Sequence, residues 1–235
     1  MGLTEAQQAA NEIGIELVHG VELATWLDKT EFHIVGLDIN ENNPHFQTAM
    51  ARMQQIREDR NNQMVARMQA AGVDITLEKL HAKEGIGVLT RANFAGYLLS
   101  VGFVKSIKEA FDRYLGDGKP FYIPRTKTSP KEAIELIKQA DGIPVLAHPM
   151  LYKLGKNTLE KYVKMMTDWG LEAMEVYYST NTPSDDLYLS HLANHYHLKY
   201  SGGSDFHGTY KPHIQIGTGK GRLVVPYDIL EKLRA

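Results

Sequence analysis

The stretch Leu198-Lys-Tyr-Ser201-Gly-Gly-Ser204-Asp205-Phe-His207-Gly208 joins a short apolar segment to a glycine-rich turn carrying a carboxylate and an imidazole two residues apart. Residues 198–201 read as a strand, so Asp205 and His207 emerge just past its C-terminal end, where barrel-like α/β folds collect their catalytic groups. Two apart in an extended turn, these side chains can face one cation, and the neighbouring glycines let the backbone approach a ligand closely. The plainer alternative makes Asp205 a turn cap and His207 incidental.

Working outward, the same layout recurs. Pro144–Ala147 reads as a buried strand with His148 at its end, and further strands are expected at Ile15–Val18, Phe32–Leu37, Ala173–Tyr177 and Arg222–Val225. They alternate with amphipathic stretches, the pattern of βα units around a mostly parallel sheet. Glu22 follows the first of these strands and His33 lies within the second. Each residue alone is ordinary, but Glu22, His33, His148, Asp205 and His207, drawn from four strands or strand ends, form a plausible convergent site.

Helix starts are marked by Ser106 with Glu109 and by Ser129 with Glu132, both read as capping boxes. Pro130, Pro183 and Pro226 suit first-turn positions, and Gly142 and Gly170 suit helix ends. Between Pro44 and Arg125 the strand pattern disappears. Phe46, Ala49, Met50, Met53 and Ile56, then Met64, Val65 and Met68, recur at helical spacing, which reads as core packing by adaptable methionines. The expected organisation is an α/β core formed by residues 1–40 and 126–235 around a helical insertion or lid at 41–125.

Composition narrows the chemistry. The chain has 235 residues, 26 Lys plus Arg against 28 Asp plus Glu, and a net charge of −2. That balance gives no basis for holding duplex DNA by bulk charge, and the aromatics do not interleave with basic residues as in a single-strand binder. No apolar run is long enough to span a bilayer and the N-terminus lacks a signal-peptide layout, so the expected location is cytoplasmic and no membrane partner is expected. With no cysteine and ten histidines, any metal must be held by His, Asp and Glu, a donor set suited to Mn, Fe or Zn. His191 and His195 lie one helical turn apart, but Leu192 stands where a zinc-protease motif requires Glu, so a solvated helix face is favoured. His45, His81 and His213 have no partners identifiable from spacing.

The ordered set Val18-His-Gly-Val-Glu22, Phe32-His33-Ile-Val-Gly36, Ala147-His148-Pro149 and Ser201-Gly-Gly-Ser-Asp205-Phe-His207-Gly resembles the polymerase-and-histidinol-phosphatase (PHP) family of metal-dependent phosphoesterases. The similarity extends through Leu89-Thr-Arg91, Glu109-Ala-Phe-Asp-Arg-Tyr-Leu-Gly116, Tyr122-Ile-Pro-Arg125, Lys211-Pro212 and Gly217-Thr-Gly-Lys-Gly221. It is nearest to the branch of nucleoside 3′,5′-bisphosphate phosphatases and 5′-to-3′ exoribonucleases. The resemblance implies a distorted seven-stranded (β/α) TIM-like barrel with a helical insertion and two or three divalent metals. It implies hydrolysis of phosphate esters of nucleotides or short RNA by metal-activated water. It carries Glu22, His33, His148, Asp205 and His207 over as metal ligands, with His33 or His207 assisting proton transfer, and Arg91 and Arg125 as phosphate-gripping residues.

The His-x-His and Asp-His-Asp segments that open family members do not occur here. Gly2-Leu-Thr-Glu5 aligns with the helix after the second, so the chain is expected to lack the first strands of the barrel. Self-association through the open sheet edge is the expected physical consequence. The competing functional readings are a catalytically incomplete fragment, a non-catalytic metal- or nucleotide-binding module of the same fold, and a metal-dependent amidohydrolase.

Overall fold

A computed structural model describes residues 2–84, 89–208 and 211–235. In chain order the elements are α1 (Gly2–Ile13), β1 (Gly20–Leu27), β2 (Thr30–Leu37), α2 (Pro44–Ala70), α3 (Leu77–Glu84), α4 (Arg91–Ser100), α5 (Ile107–Ala110), α6 (Pro130–Gln139), β3 (Ile143–Leu146), α7 (Lys156–Asp168), β4 (Ala173–Tyr178), α8 (Pro183–His195), β5 (Lys199–Gly203) and α9 (Asp228–Arg234). A π turn covers Phe111–Leu115 and a 3-10 turn covers Pro149–Tyr152. The chain divides into two compact units, residues 1–48 with 127–235, and residues 49–126.

The first unit is built on a five-stranded sheet in the order β1-β2-β3-β4-β5. β1 and β2 form an antiparallel hairpin, β2 and β3 are also antiparallel, and β3, β4 and β5 run parallel. The sheet is therefore mixed where the alternation of segments predicted a mostly parallel one, because β1 turns back into β2 through a two-residue connection instead of a crossover helix. Strand periodicity sorts β2 cleanly. Phe32, Ile34 and Gly36 are buried on one face, while His33, Val35 and Leu37 are half-buried on the other. Val35 and Leu37 join Val145, Ala173 and the α9 residues Ile229 and Leu233 in one apolar cluster. On the opposite face Phe32 meets Tyr162 of α7 with ring centroids 5.1 Å apart.

Local chemistry explains the element boundaries. Ser129 and Glu132 form a full reciprocal box at the start of α6, with Pro130 in its first turn. Ser106 accepts the Glu109 N–H, but the Glu109 carboxylate takes the Lys105 N–H instead of closing the box. Gly170, at φ 98°, ends α7 as expected. Gly142 does not play that part for α6: the left-handed position belongs to Asp141, at φ 59°, and Gly142 packs where a Cβ would sit 2.7 Å from Ile39. Pro226 lies before the cap residue of α9 and not in its first turn.

Two expected strands are absent. Ile15–Val18 forms no strand, and β1 begins at Gly20; Ile15 is 58% exposed, so its apolar character reflects no buried ladder. Arg222–Val225 is irregular, with Val224 74% exposed and Val225 packed against the α9 cluster. An apolar segment can serve as cover for a helix as readily as a strand, and periodicity over four residues does not separate the two.

The second unit is helical, as the methionine spacing predicts. Met64, Met68, Leu80, Phe94, Leu98 and Leu115 are fully buried in its core. Tyr114 stacks on Phe121 at 5.1 Å, and Arg67 donates to the Pro120 and Tyr122 carbonyls, tying α2 to the segment that leaves the unit. Among the described residues no helix is long and apolar enough to cross a membrane.

Candidate metal centre

The β1–β2 register brings the first two candidates together. Glu22 lies opposite Val35, and Ala24 opposite His33, so Glu22 and His33 project from one face as diagonal neighbours. The Glu22 Oε1 lies 2.6 Å from His33 Nδ1. His148, two residues beyond β3, brings its Nε2 to 3.2 Å from the same oxygen, and the two imidazoles meet edge-on at 5.0 Å. Asp205 and His207, beyond β5, complete the set. Glu22, His33 and His148 form one group of donors lying within 4.8 Å of one another, and Glu22, Asp205 and His207 form a second. All five residues thus converge, with Glu22 common to both groups.

Two of them are held in unusual backbone conformations. His148 sits at φ 32° and Asp205 at φ 54°, in the left-handed region that costs a non-glycine residue energy and persists only where surroundings over-determine it. At His148 the surroundings are visible. Its N–H donates to the Glu175 carboxylate at 2.7 Å, and Tyr152, at the end of the 3-10 turn, donates its hydroxyl to the Ala147 carbonyl at 2.6 Å. The Asp205 carboxylate is clasped by the Tyr178 hydroxyl at 2.7 Å and by Lys211 Nζ at 2.5 Å. His207 Nδ1 lies 2.9 Å from Asp205 Oδ1.

The electrostatics follow from this crowding. Hydrogen bonds from His148 and His33 hold the Glu22 carboxyl well below the usual carboxylate range. Glu22 in turn raises His33 above its ordinary value. Burial pushes Glu175 up to about 7 against the lowering effect of the His148 N–H. Burial raises the Tyr152 and Tyr178 phenols, so both remain neutral hydroxyls.

Whether these residues suit a divalent cation is decided by their donors. Among the described residues His148 Nδ1 is buried without a hydrogen-bond partner, and imidazoles and carboxylates crowd one volume in two overlapping groups. Mixed nitrogen and oxygen donors of this kind fit Mn, Fe or Zn. Neither His191 nor His195 belongs to a donor group among the described residues; both lie exposed on α8, the solvated face expected.

Arg91 and Arg125 lie in the second unit. Arg91 opens α4, contacts Asp117 at 2.7 Å and lies over the Tyr122 ring at 5.4 Å. Arg125 has company that spacing did not reveal. Burial, and then the charge of Arg125, lowers both Arg57 and Arg60, and Arg60 donates through Nε to the Ile123 carbonyl while its buried Nη2 has no partner among the described residues.

Glu175, Tyr178 and Tyr152 carry no spacing or motif that marks them in the sequence, and Lys211 stands there only within the matching segment Lys211-Pro212. A carboxylate in the otherwise apolar run Ala173–Tyr178 is the one local hint.

A mixed sheet flanked by helices that gathers carboxylates and imidazoles from within β1 and β2 and from beyond the ends of β3 and β5 is the arrangement of a metal-dependent hydrolase. No protein-family model matches the chain. A 5′-3′ exoribonuclease of Haemophilus influenzae is 34% identical over 206 residues, covering 88% of this chain and 75% of the relative. The 5′-3′ exoribonuclease Rnm of Escherichia coli is 33% identical, over 87% of this chain and 70% of that protein. A 3′,5′-nucleoside bisphosphate phosphatase of Chromobacterium violaceum is 31% identical, over 88% and 73%. Among solved structures, a Chromobacterium violaceum amidohydrolase with bound sulfate superposes with TM-score 0.75 at 28% identity, covering 99% of this chain and 81% of that one. One from Bifidobacterium adolescentis, named for metal-dependent phosphoesterase chemistry, gives 0.76 at 27%, over 99% and 80%. The chain belongs to the PHP family of metal-dependent phosphoesterases, on the branch of these exoribonucleases and nucleoside bisphosphate phosphatases.

Proposed function

We propose that this chain hydrolyses phosphate esters of nucleotides or short oligoribonucleotides with the aid of two or three divalent ions, Mn, Fe or Zn. The observation that carries the reading is the convergence of Glu22, His33, His148, Asp205 and His207 in two donor groups sharing Glu22. Bound divalent ions would supply positive charge against the phosphoryl oxygens and acidify a water.

The protein's own groups do the rest. Glu22, His33 and His148 hold one side of the centre, and Asp205 and His207 the other. His33 or His207 stands as the proton donor to the leaving oxygen, since imidazole can carry that proton near neutral pH. Arg91 and Arg125 grip phosphate through paired guanidinium hydrogen bonds. The five strands correspond to part of a distorted seven-stranded barrel, and residues 41–125 serve as its insertion or lid. The edge strand β1 accepts a second copy of the chain, giving self-association.

The test is purification without chelator, elemental analysis, and assay with a nucleoside 3′,5′-bisphosphate, a short 5′-phosphorylated RNA and duplex DNA. Bound metal with release of phosphate or mononucleotide from the first two, and none from duplex DNA, is the expected result. Bound metal without turnover on any of them supports the non-catalytic binding module instead.

A further inference from the structure

The antiparallel ladder between β2 and β3 runs from Leu37 opposite Ile143 to Ile34 opposite Leu146, and the Ala147 N–H then donates to the His33 carbonyl at 3.1 Å. The reciprocal bond from the His33 N–H to the Ala147 carbonyl is replaced. The Tyr152 hydroxyl stands between them, accepting the His33 N–H at 3.0 Å and donating to the Ala147 oxygen at 2.6 Å.

We propose that Tyr152 is a positioning residue of the metal centre, whose hydroxyl, inserted in the last rung of the ladder, sets the separation of His33 and His148. The proposal rests on the reading of that centre given above. A direct N–H···O bond would draw the two backbones to about 2.9 Å at this rung. The inserted oxygen holds them further apart while leaving neither backbone group unpaired, which is the condition for keeping a polar rung beside a buried strand. The two histidines flank this rung, His33 within it and His148 immediately after it. The tyrosine ring is itself fixed, edge-on to Phe32 at 4.7 Å and to His148 at 5.8 Å, so the hydroxyl cannot swing away without unpacking both. The 3-10 turn starting at Pro149 returns the chain so that a residue four positions after His148 reaches back to the rung before it. Groups that orient metal ligands in this way commonly change metal affinity about 10–100-fold when removed.

In the full chain, Tyr152→Phe keeps the ring and removes only the oxygen. Two measurements on metal-stripped protein decide the matter: Mn2+ affinity by calorimetry, and hydrogen exchange of the His33 amide. Mn2+ binding about 10–100-fold weaker in a folded variant, with faster exchange at His33, is expected. Affinity within twofold of wild type, or weaker affinity with His33 protection unchanged, overturns the proposal. If the wild-type chain takes up no Mn2+, the metal-centre reading itself fails, and the exchange measurement alone decides whether Tyr152 fixes the rung. If the variant does not fold, wild-type NMR replaces it: a slowly exchanging Tyr152 hydroxyl proton in contact with the His33 amide supports the proposal, and its absence overturns it.

Discussion

Asp205 is gripped from two sides, by Tyr178 and by Lys211, while its backbone sits at φ 54°. Asp205→Ala removes a carboxylate from the donor group that Asp205 forms with Glu22 and His207, but no apolar core contact. Loss of metal-dependent turnover with little change in melting temperature is expected, and full activity in the variant would exclude a ligand role. Glu175 makes a sharper structural test. Its carboxylate accepts the His148 N–H, so Glu175→Ala leaves that donor short of a partner and costs about 1–3 kcal/mol in chemical denaturation, whereas Glu175→Gln, still an acceptor, costs much less. The five converging residues were legible because imidazole and carboxylate in or just beyond apolar strands are uncommon in ordinary cores, although Glu22, expected after a strand, lies within β1. Their supports were not. Tyr152 and Tyr178 look like any half-buried aromatic, and only the fold brings their hydroxyls to His33 and Asp205.

At the scale of elements, α6 and β2 depend on each other. The helix begins with the Ser129 box, and Ser129→Ala removes an acceptor for the Glu132 N–H, a loss of about 1 kcal/mol measurable by urea denaturation. A Cβ added at Gly36 would stand 2.9 Å from Ile137 of α6, so Gly36→Ala forces helix and sheet apart at a cost of about 1–3 kcal/mol. Capping chemistry and helical periodicity made α6 and the helical stretch after Pro44 readable, since both signals are local. The β1 boundary was not readable that way. Gly20–Leu27 alternates too irregularly to announce a strand, and its identity comes from pairing along the whole length of β2. In the irregular Arg222–Val225 it is Val225 alone that packs against the α9 cluster, a neighbour later in the chain.

For the whole molecule, the end of the chain is tied to its beginning. Arg234 donates to Glu16 at 2.6 Å and bidentately to Asp38 at 2.6 and 2.7 Å, while the Tyr227 hydroxyl reaches Glu16 at 2.6 Å. These bonds hold both carboxyls below their ordinary values of 4.5 and 3.8. Groups depressed in the folded state bind fewer protons than the unfolded chain, so their stabilisation is complete above those ordinary values and is lost as the pH falls through the folded ones. Arg234→Ala should therefore narrow the stability gap between pH 6 and pH 3 in thermal melts. At the same scale, β1 and β5 are the edges of the sheet. Self-association through β1 predicts a species heavier than one chain in micromolar sedimentation, and a clean monomer would count against it.

The antiparallel rungs between β2 and β3 span the entire second unit, with Leu37 opposite Ile143. During synthesis the β1–β2 hairpin emerges first, and on the order of a hundred further residues must be made before β3 exists, an interval of about 5–20 s at ordinary elongation rates. Throughout it one side of β2 has no neighbouring strand, while residues 49–126 can gather their separate core. Birth order thus favours the insertion as the first finished body, shrinking the loop that the sheet must close. The nascent hairpin is the stretch most in need of chaperone cover until β3 arrives.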